Sequence, residues 1–288
     1  MFKVTFQRYL TMIEQFLAQL QWDEGSLNKS MYYSLIGGGK RIRPVLALAS
    51  AEAVGGDPAT ILRAAVSLEL IHTYSLIHDD LPAMDNDDYR RGRLSNHKVF
   101  GEANAILAGD ALLTYAFELL ADADAGQPER QLRIIREVAV AAGKEGMVGG
   151  QVADVAGEGK TLSIEEIEAI HKGKTGALLT VSARLGGILA GGTEQQVMAL
   201  TDYSQALGLA FQIKDDILDV VGNSEILGKL AGSDLRKGKT TYVSLLGIEG
   251  AEHQLHAQIL KAQTALKSFD EGAIFLSELA YYIEQRQH

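Results

Sequence analysis

The chain is 288 residues long and 47% hydrophobic, with a formal charge of -10 and no cysteine. That length can bury a substantial core, and the composition argues against disorder. The negative balance argues against a broad nucleic-acid footprint, and the missing thiols exclude disulfides and thiolate metal sites.

Met1 to Leu20 is amphipathic and broken by Lys3, Arg8 and Glu14. It lacks the uninterrupted apolar core of a secretory signal. No charge-free apolar stretch is long enough to span a bilayer, so stable membrane insertion is not expected and a cytoplasmic location is. Glycines at 37-39, 55-56, 149-150, 186-187 and 191-192 mark expected helix joints. Apolar residues at 62, 65, 66, 70, 74 and 77 give Ile61 to His78 helical spacing, and Leu132, Ile135, Val138 and Val140 repeat it more loosely. Ala121 to Gln127 reads as a loop. Ser163 followed by Glu166 is a capping box that starts the next helix. Ala177 to Leu189, Val197 to Val220 and Ala251 to Leu266 are helical, with a loop expected over Gly222 to Lys239. The four prolines, at 44, 58, 82 and 128, leave the C-terminal half free for long helices. Strand alternation is scarce and no linker or repeat divides the chain. A single all-α domain over residues 1-288 is expected.

Two aspartate clusters stand out: Asp79-Asp80-Leu81-Pro82-Ala83-Met84-Asp85 and Asp215-Asp216-Ile217-Leu218-Asp219. Pro82 disfavours helix at Leu81, which puts Asp79 and Asp80 at the negative end of a helix dipole. Asp215 and Asp219 share one helical face, with Asp216 about 100° round from Asp215, amid apolar neighbours. Crowded carboxylates resist ionising unless a cation neutralises them, and magnesium takes one or two carboxylates together with substrate phosphates. Basic residues complete a diphosphate site: Lys40, Arg41 and Arg43 after Gly37-Gly38-Gly39, Arg90 and Arg91 after the first cluster, and Lys174, Lys229 and Lys239 in glycine-containing stretches. Taken singly, each is an ordinary solvated charge. Gly-Lys-Thr at 173 and 238 lacks the upstream P-loop glycine, since Glu168 and Ser233 stand there. The histidines show no zinc spacing.

These residues resemble the trans-isoprenyl diphosphate synthases, of the bacterial short-chain type typified by farnesyl diphosphate synthases. The likeness runs from Tyr33 to Tyr242 and rests on Gly38-Gly39-Lys40-Arg41-Ile42-Arg43-Pro44, the first acidic motif with Arg90-Arg91-Gly92, and Phe211-Gln212-Ile213-Lys214 before Asp215. Gly149-Gly150-Gln151 with Asp154, and Leu227-Gly228-Lys229 through Asp234, add to it. One departure is Leu94-Ser95 before Asn96-His97, where the family has Pro-Thr.

The resemblance implies an all-α homodimer with the pocket inside a helical bundle. It also implies magnesium, three ions with substrate bound, on Asp79, Asp80, Asp85, Asp215, Asp216 and Asp219. The allylic substrate, dimethylallyl or geranyl diphosphate, would meet Arg90, Lys174, Thr175, Gln212, Lys229 and Lys239. Lys40, Arg43, His72 and Arg91 would bind isopentenyl diphosphate. The implied product is farnesyl diphosphate, with catalysis resting on Asp79, Asp80, Asp85, Arg90, Lys174, Asp215 and Lys229. Tyr74, about 7.5 Å down the helix axis from Asp79, would floor the chain-binding pocket beside Ser75. The loop Gly222 to Lys239 would close over the site. A geranylgeranyl diphosphate synthase is the near alternative, with a non-catalytic partner subunit behind it. A terpene cyclase would not need the separate Lys40 and Arg43 site.

Overall fold

The computed structural model describes residues 1–20, 22–123, 127–221 and 238–287. Its helices are α1 (Phe2–Gln19), α2 (Ser26–Leu35), α3 (Ile42–Ala53), α4 (Leu62–Asp79), α5 (Asn96–Phe100), α6 (Glu102–Ala121) and α7 (Pro128–Ala142). They continue with α8 (Met147–Gly157), α9 (Ile164–His171), α10 (Ala177–Leu189), α11 (Glu194–Val221), α12 (Tyr242–Ala265) and α13 (Ile274–Gln285). Among the described residues the only sheet is a two-stranded ribbon, β1 (Tyr89–Arg90) antiparallel to β2 (Arg93–Leu94). The all-α expectation holds.

The centre of the bundle is α3 against α10. Both are buried on nearly every face, the pattern of a helix enclosed by others. Their approach depends on Gly186, where an added Cβ would lie 2.0 Å from the Ala47 carbonyl oxygen. Around this pair α4 lies along α6, and α11 packs on α10 and α12. Helix α6 has the length and apolarity of a membrane span, but it carries Asp110 and Glu118 and lies along α4.

Helix ends follow their sequence signals. The Ser163 hydroxyl accepts from the Glu166 amide at 3.3 Å, while the Glu166 carboxylate accepts from the Ser163 amide at 2.7 Å. Helix α4 stops at Asp79, three residues short of Pro82.

The structure corrects three expectations. Gly149-Gly150 and Gly186-Gly187 lie inside α8 and α10 rather than at joints, because they permit close helix contact. Helix α7 buries Ile134, Val138 and Ala142, leaving Leu132 and Val140 exposed, so the helix is right and the face is displaced. Arg41 turns away from the glycine loop into the core. Its guanidinium donates to Glu14 and Glu69 at 2.8 Å each and to the Leu35 carbonyl at 2.7 Å. The loop expected at 222–239 lies outside the described residues except for Gly238 and Lys239.

Candidate active site

The first acidic motif leaves the end of α4 and folds back on itself. The Asp85 amide donates to the Asp79 carbonyl at 2.9 Å, which returns Asp85 towards Asp79. Gln151, from α8, donates to the Asp79 carboxylate. Arg90, held on β1, grips Asp80, with Nε 2.9 Å from Oδ1. Burial pushes the Asp79 carboxyl up, and Asp85 and Asp80 add to this against the opposing pull of Lys174 and Arg90. Such a group favours a cation beside it.

Lys174 sits in a π-helical turn, Lys172–Gly176, between α9 and α10. Turns of this kind gather at functional sites because they re-aim side chains. Its ammonium lies 4.0 Å from Asp79 and 2.8 Å from Asp154, and Lys239 reaches the same Asp154 oxygen at 2.9 Å. Burial works to raise the Asp154 carboxyl, yet the two lysines outweigh it and hold it below the ordinary carboxylate value. Gly150 makes this possible, since a Cβ there would lie 2.1 Å from the Lys174 backbone nitrogen.

The second motif lies on α11. Asp215 is partly exposed and accepts from Arg286, the residue that follows α13. Asp216 is buried and accepts from the Tyr242 amide at 2.8 Å. Asp219 lies one turn further along.

Two adjoining cavities lie beside Asp79 and Lys174 and reach α11 at Phe211 and Gln212. One, of about 470 Å³, is polar where Asp79, Gln151, Lys174, Thr175 and Gln212 line it, and less polar towards Tyr74, Ser75, Met147, Val148 and Val152. The other, of about 620 Å³, is lined by Gly37 to Arg43, His72 and Arg91. Arg43, His72, Thr175 and Phe211 line both. Burial pushes the Arg43 guanidinium down to about 10, which leaves it charged at neutral pH, and its Nε is buried with no hydrogen-bond partner among the described residues. Burial, with Arg43 and Arg91 nearby, pushes the His72 imidazole well below its ordinary range. Lys40 feels burial first, then Arg286, both lowering its pKa, against Asp215 raising it.

Thus Arg43, His72 and Thr175 line both cavities, Lys40 and Arg91 one, and Tyr74, Ser75, Asp79, Lys174 and Gln212 the other. Arg90 pairs with Asp80 and Lys239 with Asp154, and neither these two cations nor Asp80, Asp85, Asp215, Asp216 and Asp219 are among the described residues that line either cavity. Lys229 lies outside the described residues. Asp154, Gln151 and Arg286 take part without having been given roles from sequence. A larger cleft of about 1060 Å³ between α7, α10 and α11 contains the Glu137–Arg184 ion pair and none of the predicted site residues.

Among the described residues no three metal-ligating side chains converge on one point. This donor set does not make an all-protein cage, but it fits a hard cation whose remaining ligands are phosphate oxygens and water.

The polyprenyl synthetase family model matches residues 24–272. Farnesyl diphosphate synthase of Geobacillus stearothermophilus is 49% identical over 280 residues, covering 96% of this chain and 94% of that protein. An FPP/GFPP synthase from Zymomonas mobilis has a crystal structure with a TM-score of 0.86 at 38% identity, covering 98% of each chain. Geranylgeranyl pyrophosphate synthetase from Pyrococcus horikoshii matches with a TM-score of 0.90 at 34% identity, covering 99% of each.

Proposed function

The chain belongs to the polyprenyl synthetase family, and from that premise we propose that it condenses isopentenyl diphosphate with dimethylallyl and then geranyl diphosphate, releasing farnesyl diphosphate. It is a short-chain trans-prenyltransferase. The observation that carries the substrate assignment is the pair of adjoining cavities, one with Asp79 and Lys174 at its polar end and a less polar end beyond, the other lined by Lys40, Arg41, Arg43 and Arg91 with Glu69 among them.

In this reading magnesium, three ions with substrate bound, would be held by Asp79, Asp80 and Asp85 on one wall and Asp215, Asp216 and Asp219 on the other. Magnesium supplies positive charge that makes the allylic diphosphate a better leaving group. Asp80 and Asp216 already accept hydrogen bonds from Arg90 and Tyr242, and a carboxylate has lone pairs enough for both tasks.

The side chains do the rest. Arg90, Lys174, Thr175, Gln212 and Lys239, joined by Lys229, hold the allylic diphosphate and offset the charge that builds as its carbon–oxygen bond breaks. The bonding pair leaves with the diphosphate. Lys40, Arg43, His72 and Arg91 hold isopentenyl diphosphate so that its double bond reaches the allylic cation. A carbon–carbon bond forms, and the proton lost from the isopentenyl unit passes to the released diphosphate. Keeping water out of the site would prevent it from quenching the cation.

Tyr74 is the proposed floor, with Ser75 beside it. The working form in this reading is a cytoplasmic homodimer. Exposed Ile106 and Leu107 on α6, and Val155 on α8, are apolar surface that a second copy would cover.

The test is to supply the purified protein with magnesium, labelled isopentenyl diphosphate and five-, ten- or fifteen-carbon allylic starters, then resolve products by length. Accumulation at fifteen carbons is expected. Efficient extension of the fifteen-carbon starter would make this a geranylgeranyl synthase, and no condensation with any starter would leave a non-catalytic subunit.

A further inference from the structure

His78 stands one position before the first acidic motif and lines the substrate cavity, yet neither the metal nor the diphosphate assignments use it. Its imidazole lies edge-on to the Tyr74 ring, with centroids 5.7 Å apart and planes at 79°. On its other side, Nε2 is 3.0 Å from the Ile106 carbonyl oxygen of α6, which makes that nitrogen the donor, and 3.9 Å from Asp110 Oδ1.

The ring fits there because residue 109 is glycine. A Cβ at that position would lie 2.1 Å from Nε2 and 2.5 Å from Cδ2. Gly109 is inside α6, where glycine is less stabilising than alanine. Position 109 therefore gives up helix stability and gains clearance for one side chain. Tyr74 itself is only 7% exposed. Its ring is thus flanked by a second ring, which is held in turn by a backbone carbonyl and a notch.

We propose that His78, seated in the notch at Gly109, is a specificity-determining residue that braces Tyr74 and so fixes the length of prenyl chain the cavity accepts. The proposal rests on the prenyl-transfer reading. A floor made by an aromatic side chain limits length only if the ring stays in place when a growing chain presses on it. An edge-to-face neighbour resists that displacement. The stop then depends on the α4–α6 contact and not on Tyr74 alone.

The experiment compares wild type, His78→Ala, His78→Gln, Gly109→Ala and the His78→Ala/Gly109→Ala double variant, each with magnesium and the ten- and fifteen-carbon starters. The readout is the ratio of twenty- to fifteen-carbon product from the ten-carbon starter at matched conversion, with extension of the fifteen-carbon starter as its check. His78→Ala should raise it by about two- to tenfold, the factor an edge-to-face ring contact is worth. His78→Gln keeps a donor for Ile106 and removes only the ring, so it should raise the ratio too. Gly109→Ala should lower the melting temperature of the otherwise wild-type protein by forcing the imidazole from its notch. In the His78→Ala background the same change should leave the melting temperature equal or higher, since alanine is the better helix former.

An unchanged ratio in both His78 variants, with wild type still stopping at fifteen carbons, overturns the brace and leaves the prenyl-transfer reading standing. So does a Gly109→Ala effect of equal size in both backgrounds. A wild type that makes no prenyl product overturns both.

Discussion

Arg286 donates to Asp215, so the last residues of the chain supply a counter-ion to the second acidic motif. The same guanidinium donates to the Phe211 carbonyl at 3.0 Å and lies 4.1 Å above the Phe211 ring. Arg286 is buried, whereas the Asp215 side chain is 43% exposed.

Replacing Arg286 with leucine should therefore destabilise the metal-free protein by about 1.5–3 kcal/mol, the range for hydrogen bonds to a charged group, with Asp215's exposure favouring the low end. Urea unfolding in the presence of a chelator measures this. Magnesium should raise the melting temperature of the variant more than that of wild type, because Arg286 no longer competes for Asp215. Equal shifts would show that the tail does not contest the site.

Asp154 holds Lys174 and Lys239 together, and they hold its carboxyl below the ordinary value despite burial. A depressed carboxylate stabilises the fold fully above its unfolded value, about 3.9, and loses that contribution as pH falls through its lower folded value. Wild type should exceed Asp154→Asn in stability by a constant margin above about pH 5, and the margin should shrink in acid below about pH 4. Urea midpoints across that range decide it. A margin that stays flat into acid would assign the effect to shape instead of charge.

Asp79 has the opposite sign. Burial and its fellow aspartates raise its carboxyl, so its favourable contribution is present at low pH and lost as pH rises through the folded value. Without metal, Asp79→Asn should be at least as stable as wild type at neutral pH. Its condensation rate should nevertheless fall by at least about a hundredfold, the scale for removing one group that offsets transition-state charge. Paired unfolding and rate measurements check this, and a variant both active and less stable would contradict it.

Gly150→Ala should cost about 1–3 kcal/mol, as overpacking does, because the new methyl would meet the Lys174 backbone nitrogen at 2.1 Å. Lys174 would move with its turn, so the KM for the allylic starter should rise as the urea midpoint falls. A fall in stability with unchanged KM would show that Lys174 keeps its place.

What the sequence reveals here is what carries a local signature. Crowded aspartates, Pro82 after the first pair and Ser163 before Glu166 each act within a few residues, and each stands where its spacing puts it. Arg286 meets Asp215 across 71 positions, and Lys239 meets Asp154 across 85, with no nearby pattern to pair them. Arg41 sits between two site residues in a basic run, and only the buried Glu69 on α4 shows why it turns inward. Glycines 150 and 186 look like helix breakers because the helices that need their missing side chains lie elsewhere in the chain. Lys229 remains an assignment from resemblance.

The turn at Lys172–Gly176 is, in effect, a one-residue insertion between α9 and α10. The wide turn absorbs that residue, so deleting one there would restore an uninterrupted α-helix and leave α9 and α10 in their present phase. Leu178, Val181 and Leu185, all buried along α10, would stay on the core face. The loss would fall on the segment that carries Lys174, so a shortened chain would keep its packing and give up the aim of that ammonium.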